Sequence, residues 1–332
     1  MPNRPFLTAI LAVMAWCPAA QAQDCKPLEL VTHLKMERDG SGRPILPVSI
    51  NGTPRRFLFD TGGGVTHVTQ SVVDELKLRH DDSRLQTYNV NGGVSGQMAT
   101  ADTFALGPLK GSNVQMQIAA GLGPGIDGLF SQMLYPDFDI DLDFGPGRFA
   151  YFTQDHCPGQ VVYWKTAALA VVPIRRKALD IYMTVTLDGK EMEALLDTGA
   201  SDTFLDMEIA RRVYDITPGS PGMVQDGFVN GDQRLPIYRR TFSTLSLDGI
   251  NIQNPRIFIA GNRVGRDDPN DFITGNSRLM RQSDFLERPR LIIGMNILRR
   301  LHLFIALKEK KIYVTPAGAP DQPSPFDGVT PK

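Results

Sequence analysis

A chain of 332 residues that is 42% hydrophobic has room for two domains of ordinary size, each with a core of its own. Its 35 Lys and Arg balance 36 Asp and Glu to a net charge of -1 without a long basic run, which argues against nucleic acid or an anionic membrane surface as partner. The 31 glycines and 24 prolines are spread between short β-branched runs and predict a turn-rich β protein.

Residues 1–22 read as an export signal: Arg4, then the apolar run Phe6 to Trp16, then the small residues Ala20 to Ala22 as a cleavage site. The apolar run is too short for a membrane anchor, and no other segment approaches the roughly 18 apolar residues of a span. Trp16 before Cys17 is the wrong size for a lipoprotein processing site. The expectation is an exported protein, periplasmic or secreted, with no membrane attachment after signal removal. Processing removes Cys17 and leaves Cys25 and Cys157, and an even count in an oxidising compartment predicts a disulfide between them; two free thiols are the alternative.

Further along, "VSINGTPRRFLFDTG" (Val48 to Gly62) aligns without a gap on "VTLDGKEMEALLDTG" (Val185 to Gly199). Each copy reads as a strand, an Asn-Gly or Asp-Gly hairpin turn, and a second strand that delivers an aspartate. A short helix with acidic residues in its early turns is expected after each, over Val68 to Leu78 and over Leu205 to Tyr214. A later apolar strand, a glycine, a short helix and a hairpin recur around Gly128 and around Gly294, with Asp143 to Arg148 as the first copy's last turn. The predicted division is a first lobe over 23–160, a second over 161–315 and a disordered tail over 316–332; the polar stretch Asn262 to Arg288 is expected as a surface loop.

Two copies of a β domain that pair about a pseudo-twofold axis bring identical loops together. Asp60 and Asp197 would then meet, share one proton and titrate as a unit. The ionised partner activates a water while the protonated one polarises a carbonyl. Gly62 and Gly199 allow N–H groups to approach the carboxylates, and Thr61 and Thr198 supply hydroxyls able to bond across the axis to the opposite backbone. A single Asp-Thr-Gly is no more than a turn; two at matched places in a repeat are a signal.

With "LLDTGAS" and the later "LIIGMNIL", the chain resembles the aspartic proteases of the pepsin and retropepsin clan over about Leu28 to Thr315. The resemblance implies an all-β fold of two pseudo-twofold-related β-barrel lobes with short helices, an active-site cleft between them, and an aspartic endopeptidase acting as a monomer on peptide or protein. It implies that Gly128 and Gly294 brace the active-site loops. It also implies flaps over the cleft: Gly92 and Gly93 in "NVNGGVSGQM", and Gly227 and Gly231 in "MVQDGFVNGDQ", although glycines there also suit ordinary surface turns.

The first copy departs from the pattern with Gly63 and Gly64 after its Asp-Thr-Gly and with Asp127 before Gly128. Neither Gly63 nor Ala200 offers the hydroxyl that pepsin-like enzymes place beside the carboxylate, which predicts a raised pKa for the pair and a mildly acidic optimum. No metal and no cofactor is expected, because no histidine accompanies Asp60, Asp197 and Asp202 at ligand spacing and the five histidines are scattered. No Gly-x-Ser-x-Gly supports serine catalysis. The competing reading is an inactive peptide-binding module that keeps the fold.

Overall fold

The structure, a computed structural model, describes residues 25–88, 94–119, 122–177, 180–228, 233–261 and 291–319. The signal segment 1–22, Gly92, Gly93, Gly231 and the loop from Asn262 to Arg288 lie outside the described residues. The architecture is all-β with short helices, as read from the sequence. None of the described helices is long and apolar enough to cross a membrane.

In the first half, β1 (Leu30–Lys35), β2 (Glu37–Arg38), β3 (Pro44–Ile50), β4 (Thr53–Asp60) and β5 (His67–Thr69) precede helix α1 (Gln70–Leu76). They are followed by β6 (Arg79–Tyr88), β7 (Val94–Leu106), β8 (Leu109–Ala119), β9 (Gly128–Ser131), a 3-10 turn at Gln132–Leu134, β10 (Phe138–Asp143) and β11 (Arg148–Thr153). The order β2-β3-β4-β9-β5-β8-β7-β6, with β3 also pairing β7, closes six of these strands into a barrel.

The second half repeats the opening. Its strands β12 (Ala170–Lys177), β13 (Asp180–Leu187), β14 (Lys190–Leu196) and β15 (Phe204–Asp206) lead into α2 (Met207–Tyr214). There follow β16 (Val224–Phe228), β17 (Pro236–Thr241), β18 (Thr244–Leu247), β19 (Ile250–Gln253), β20 (Arg256–Ala260), β21 (Leu291–Ile293), helix α3 (Met295–Leu298), β22 (Leu301–Ala306) and β23 (Lys311–Pro316). Among the described residues this half does not close into a barrel of its own: it continues the sheet β1-β11-β10-β22-β23-β12-β13-β14-β21-β15-β20-β17-β16.

Local chemistry accounts for the repeat. Asn51 and Gly52 (φ 49 and 80°) and Asp188 and Gly189 (φ 43 and 78°) all take positive φ, the requirement of a two-residue turn that matches strand twist. The β3–β4 and β13–β14 hairpins follow from those turns. The helices are less alike than expected. Asp206 caps α2 by accepting from the Glu208 and Ile209 amides, and Glu208 sits in the first turn. Thr69 makes no side-chain cap on α1, whose first turn carries no acidic residue because Asp74 and Glu75 fall in its last turn.

The core also differs from two separate interiors: one buried apolar cluster runs from Leu46, Phe57 and Phe59 through Leu196 and Ile293 to Leu303 and Val314. The cause is the sheet shared by both halves, in which β22 pairs with β10 and β23 with β12. On β10 the alternation places Asp139, Asp141 and Asp143 inside, each nearly fully buried. Every one is compensated. Asp139 accepts from His156 Nε2 (2.6 Å) and the Leu307 amide; Asp141 accepts from His302 Nε2 (2.5 Å) and the Tyr163 hydroxyl. Asp143 pairs with Arg148 at 2.9 Å and accepts the Gly318 amide at 3.0 Å. The start of the expected disordered tail is thus part of the fold: Pro316 ends β23, and Ala317 donates to the Arg300 carbonyl.

Cys25 and Cys157 form the expected disulfide, beside the Cys157 amide's bond to the Lys26 carbonyl. It ties the lead into edge strand β1 to the end of β11. The Cys25→Ser/Cys157→Ser double variant should lose about 2–5 kcal/mol of unfolding free energy. Urea denaturation of oxidised, reduced and variant protein measures this, and reduced wild type should match the variant.

Candidate active site

The second strand of each repeat hairpin, β4 and β14, runs into an Asp-Thr-Gly loop, and the two loops meet face to face. Thr61 and Thr198, both fully buried and 137 residues apart, reach across. The Thr61 amide donates to Thr198 Oγ1 and the Thr198 amide to Thr61 Oγ1, each at 3.1 Å. In turn Thr61 Oγ1 donates to the Leu196 carbonyl and Thr198 Oγ1 to the Phe59 carbonyl, each at 2.7 Å. The hydroxyls therefore do what the sequence suggested.

This clasp brings the Asp60 and Asp197 side chains within hydrogen-bond reach of each other. The Gly62 amide donates to Asp60 Oδ1 at 2.8 Å; the Gly199 and Ala200 amides donate to Asp197 Oδ1 at 2.9 Å. Both glycines are obligatory. A Cβ on Gly62 would lie 2.6 Å from Asp197 Cγ, and one on Gly199 would lie 2.5 Å from Asp60 Cγ, so each carboxyl packs on the opposite loop's glycine.

Asp60 retains 8% exposure. Burial pushes its carboxyl above the ordinary range against the pull of the Gly62 amide, with the Arg43 cation also opposing. Asp197 is pushed well above that range by burial and by the negative charge of Asp60. The pair therefore holds a proton that two solvated aspartates would have released.

The loops are braced from behind by different means. In the second half, β14 pairs parallel with β21 from Ala194↔Leu291 to Leu196↔Ile293, so Gly294 falls behind Asp197. A Cβ there would come within 2.2 Å of the Asp202 carbonyl oxygen. The Met295 and Asn296 amides of α3 then donate to the Ala200 and Ser201 carbonyls. In the first half the parallel pairing runs from Phe57↔Gly128 to Asp60↔Ser131, so Ser131 and not Gly128 occupies the register position of Gly294. Gly128 starts β9, where a Cβ would collide with Phe57 at 2.3 Å and the His67 carbonyl at 2.5 Å. With this register, "GLFS" corresponds to "LIIG", and the apolar strand of the first copy is intact.

Ser131 substitutes a side chain for a backbone donor. Its Oγ donates to the Gly63 carbonyl at 2.5 Å and accepts the Met133 amide, where the second half uses Met295 N–H on Ala200. Thr66 and Thr203 do matching work, accepting the Ser131 amide (3.2 Å) and the Gly294 amide (3.1 Å). Asn296 Oδ1 holds Thr203, and Gln132 Nε2 donates to the Thr61 carbonyl. These residues went unread in the sequence, although extending the ungapped repeat past the glycines would have matched Thr66 with Thr203.

Gly227 lies in β16 with φ 137° beside a bulge in the β16–β17 hairpin; a Cβ there would meet nothing within 4 Å. The β6–β7 hairpin carries the first copy's expected flap, whose glycines Gly92 and Gly93 are outside the described residues. Asp202 accepts from Ser201 Oγ at 2.9 Å and stands in no metal-binding group among the described residues.

Truncating one clasp hydroxyl orphans a buried carbonyl and a buried amide, at about 1–3 kcal/mol for each group. Thr198→Ala should lower stability accordingly and Thr198→Ser should restore it, read by calorimetry. Equal Tm for Thr198→Ala and wild type would contradict the clasp.

Comparison with known proteins bears on the fold and the family. Conglutin gamma, a basic 7S globulin from lupine seeds, superposes with TM-score 0.51 at 13% identity, covering 87% of this chain and 95% of that one. Basic 7S globulin from soybean gives TM-score 0.47 at 11% identity, covering 92% and 98%. No curated protein matches in sequence. The model of the family described as aspartyl protease matches residues 46–134 and 183–296, more than half the chain and both Asp-Thr-Gly loops. The chain belongs to the aspartyl protease family.

Proposed function

We propose that the protein is an aspartic endopeptidase whose single chain supplies both halves of the site as tandem retropepsin-like lobes, with Asp60 and Asp197 as the catalytic pair. The observation that carries this reading is the mirrored hydrogen bonding of the two loops, which holds a buried and a half-buried carboxyl together, both raised in pKa. Asp60 serves as the ionised partner and Asp197 as the protonated one. Asp60 then takes a proton from a water lying between the carboxyls as that water attacks the peptide carbonyl. Asp197 donates its proton to the developing oxyanion, and the pair returns a proton to the leaving amine.

The substrate is an extended peptide. The two sheets end in β6 and β16, the outer strands of the hairpins carrying the flap candidates, and such edges accept a further strand. Val224 and Phe228 on β16 are exposed apolar side chains suited to cover it. The signal-like start and the disulfide support export to a periplasmic or extracellular compartment.

Asp60→Asn and Asp197→Asn should each reduce peptide cleavage by about 10²–10⁴-fold or more, because an amide can neither share the proton nor activate water. Near-wild-type cleavage by either variant would defeat the two-carboxylate mechanism and favour a binding module. Specific activity should stay constant on dilution, since no second chain is needed.

The same pair sets a pH dependence of stability. Its pKa values are raised in the folded state, so its contribution is complete below about pH 4, the unfolded value, and is lost as pH rises through the folded values. The Tm of Asp60→Asn should therefore gain on wild type from pH 4 to pH 7, measured by scanning calorimetry.

A further inference from the structure

The strands that precede the two Asp-Thr-Gly hairpins end at related positions with opposite charges. In the β3–β4 ladder Ile45 pairs with Leu58, so two residues earlier Arg43 is level with Asp60. In the β13–β14 ladder Tyr182 pairs with Leu195, so Asp180 is level with Asp197. Both charges lie just outside the segments matched by the family, 46–134 and 183–296.

The two sides are not equally filled. Arg43 is already neutralised: its Nε and Nη2 each lie 2.7 Å from Asp39 Oδ2, and its Nη1 reaches the Gly199 carbonyl at 3.5 Å. Asp180 is half-buried, and its carboxyl has no hydrogen bond or ion pair among the described residues. The nearby cations of β12 are engaged elsewhere. Lys177, directly opposite Asp180 in the ladder, binds Glu193 at 2.8 Å and lies over the Tyr182 ring; Arg175 also binds Glu193, and Arg176 reaches Met133 Sδ. The charge that acts on Asp180 is that of Asp60, which together with the larger effect of burial raises its carboxyl to about 6.

We infer that Asp180 is a specificity-determining residue that receives a Lys or Arg side chain of the substrate on one side of the scissile bond. The inference deepens the endopeptidase reading and rests on it. A half-buried carboxylate beside another negative group is poorly stabilised until a cation arrives. A substrate ammonium or guanidinium provides that cation, and the Arg43 side, filled by Asp39, offers no equivalent anion. The cleft therefore prefers a basic residue on one side only.

The test uses fluorogenic octapeptides that are identical except for Lys or its uncharged isostere norleucine at each of the two positions on either side of the scissile bond. At pH 7.5 wild type should show kcat/KM roughly 10–100-fold higher for Lys at one position, the value of a charge-assisted hydrogen bond. The ratio should shrink toward one at pH 4.5, where Asp180 is protonated, and taking a ratio cancels titration of Asp60 and Asp197. Asp180→Asn should abolish the ratio at both pH values. A wild-type ratio near one at every position, or a ratio that survives in Asp180→Asn, overturns the inference. If neither peptide is cleaved, the hydrolytic reading fails by itself. Fluorescence anisotropy of the same labelled peptides then decides on Asp180: preferential Lys binding lost in Asp180→Asn supports the inference, and equal binding overturns it.

Discussion

Four hydrogen bonds between two threonines and the backbone of the opposite loop hold together two carboxyls that would otherwise repel. Each hydroxyl both donates and accepts, to groups that have no access to water. Separating the loops would orphan all of these buried groups at once, and the cost of unpaired buried polar atoms makes the arrangement close to all-or-none. This rigidity allows Gly62 and Gly199 to act as platforms: with no Cβ, each receives the other loop's carboxyl at a distance that any side chain would forbid.

The halves reach the same geometry by different chemistry. Behind Asp197 the chain turns at Gly294 and uses helix amides on the Ala200 and Ser201 carbonyls; behind Asp60 the Ser131 hydroxyl replaces one of those amides. The need for a donor at that carbonyl is conserved between copies while its source is not. The loops also differ beside the carboxyls. A Cβ on Gly63 would stand 2.7 Å from Asp60 Oδ2, whereas Ala200, its counterpart in the repeat, already carries one. Charge diverges in the same way at Arg43 and Asp180, so the pseudo-twofold relation holds for the backbone and fails for the field around the dyad.

The hairpins, the aspartates, the crossed threonines and the disulfide were legible in the sequence because each depends on local chemistry or on matched spacing. Asn51-Gly52 and Asp188-Gly189 could hardly be anything but tight turns. Gly128 was misread as the counterpart of Gly294 because glycine was matched to glycine; strand register, which depends on β4 lying beside β9, assigns that place to Ser131. The merging of the two cores was equally hidden, since it arises from β10 pairing with β22 far along the chain. Arg43 and Asp180 carried no motif, and only the ladder shows that each is level with an active-site aspartate.

Among the described residues, acids lie inside the protein in two settings whose partners differ, on β10 and at the paired Asp-Thr-Gly loops. Asp139, Asp141 and Asp143 meet histidine, arginine, tyrosine or backbone donors on nearly every side, so their charge is used up in joining β10 to its neighbours. Asp60 and Asp197 accept from amides on one side and otherwise face each other, which leaves a proton shared between them and a surface that no protein cation neutralises directly. Asp180 extends that uncompensated negative character outward on one side of the pair. The sheet spends its carboxylates on structure; under the proposed function, the carboxyls at the paired loops find their remaining partners in a peptide's carbonyl and side chains.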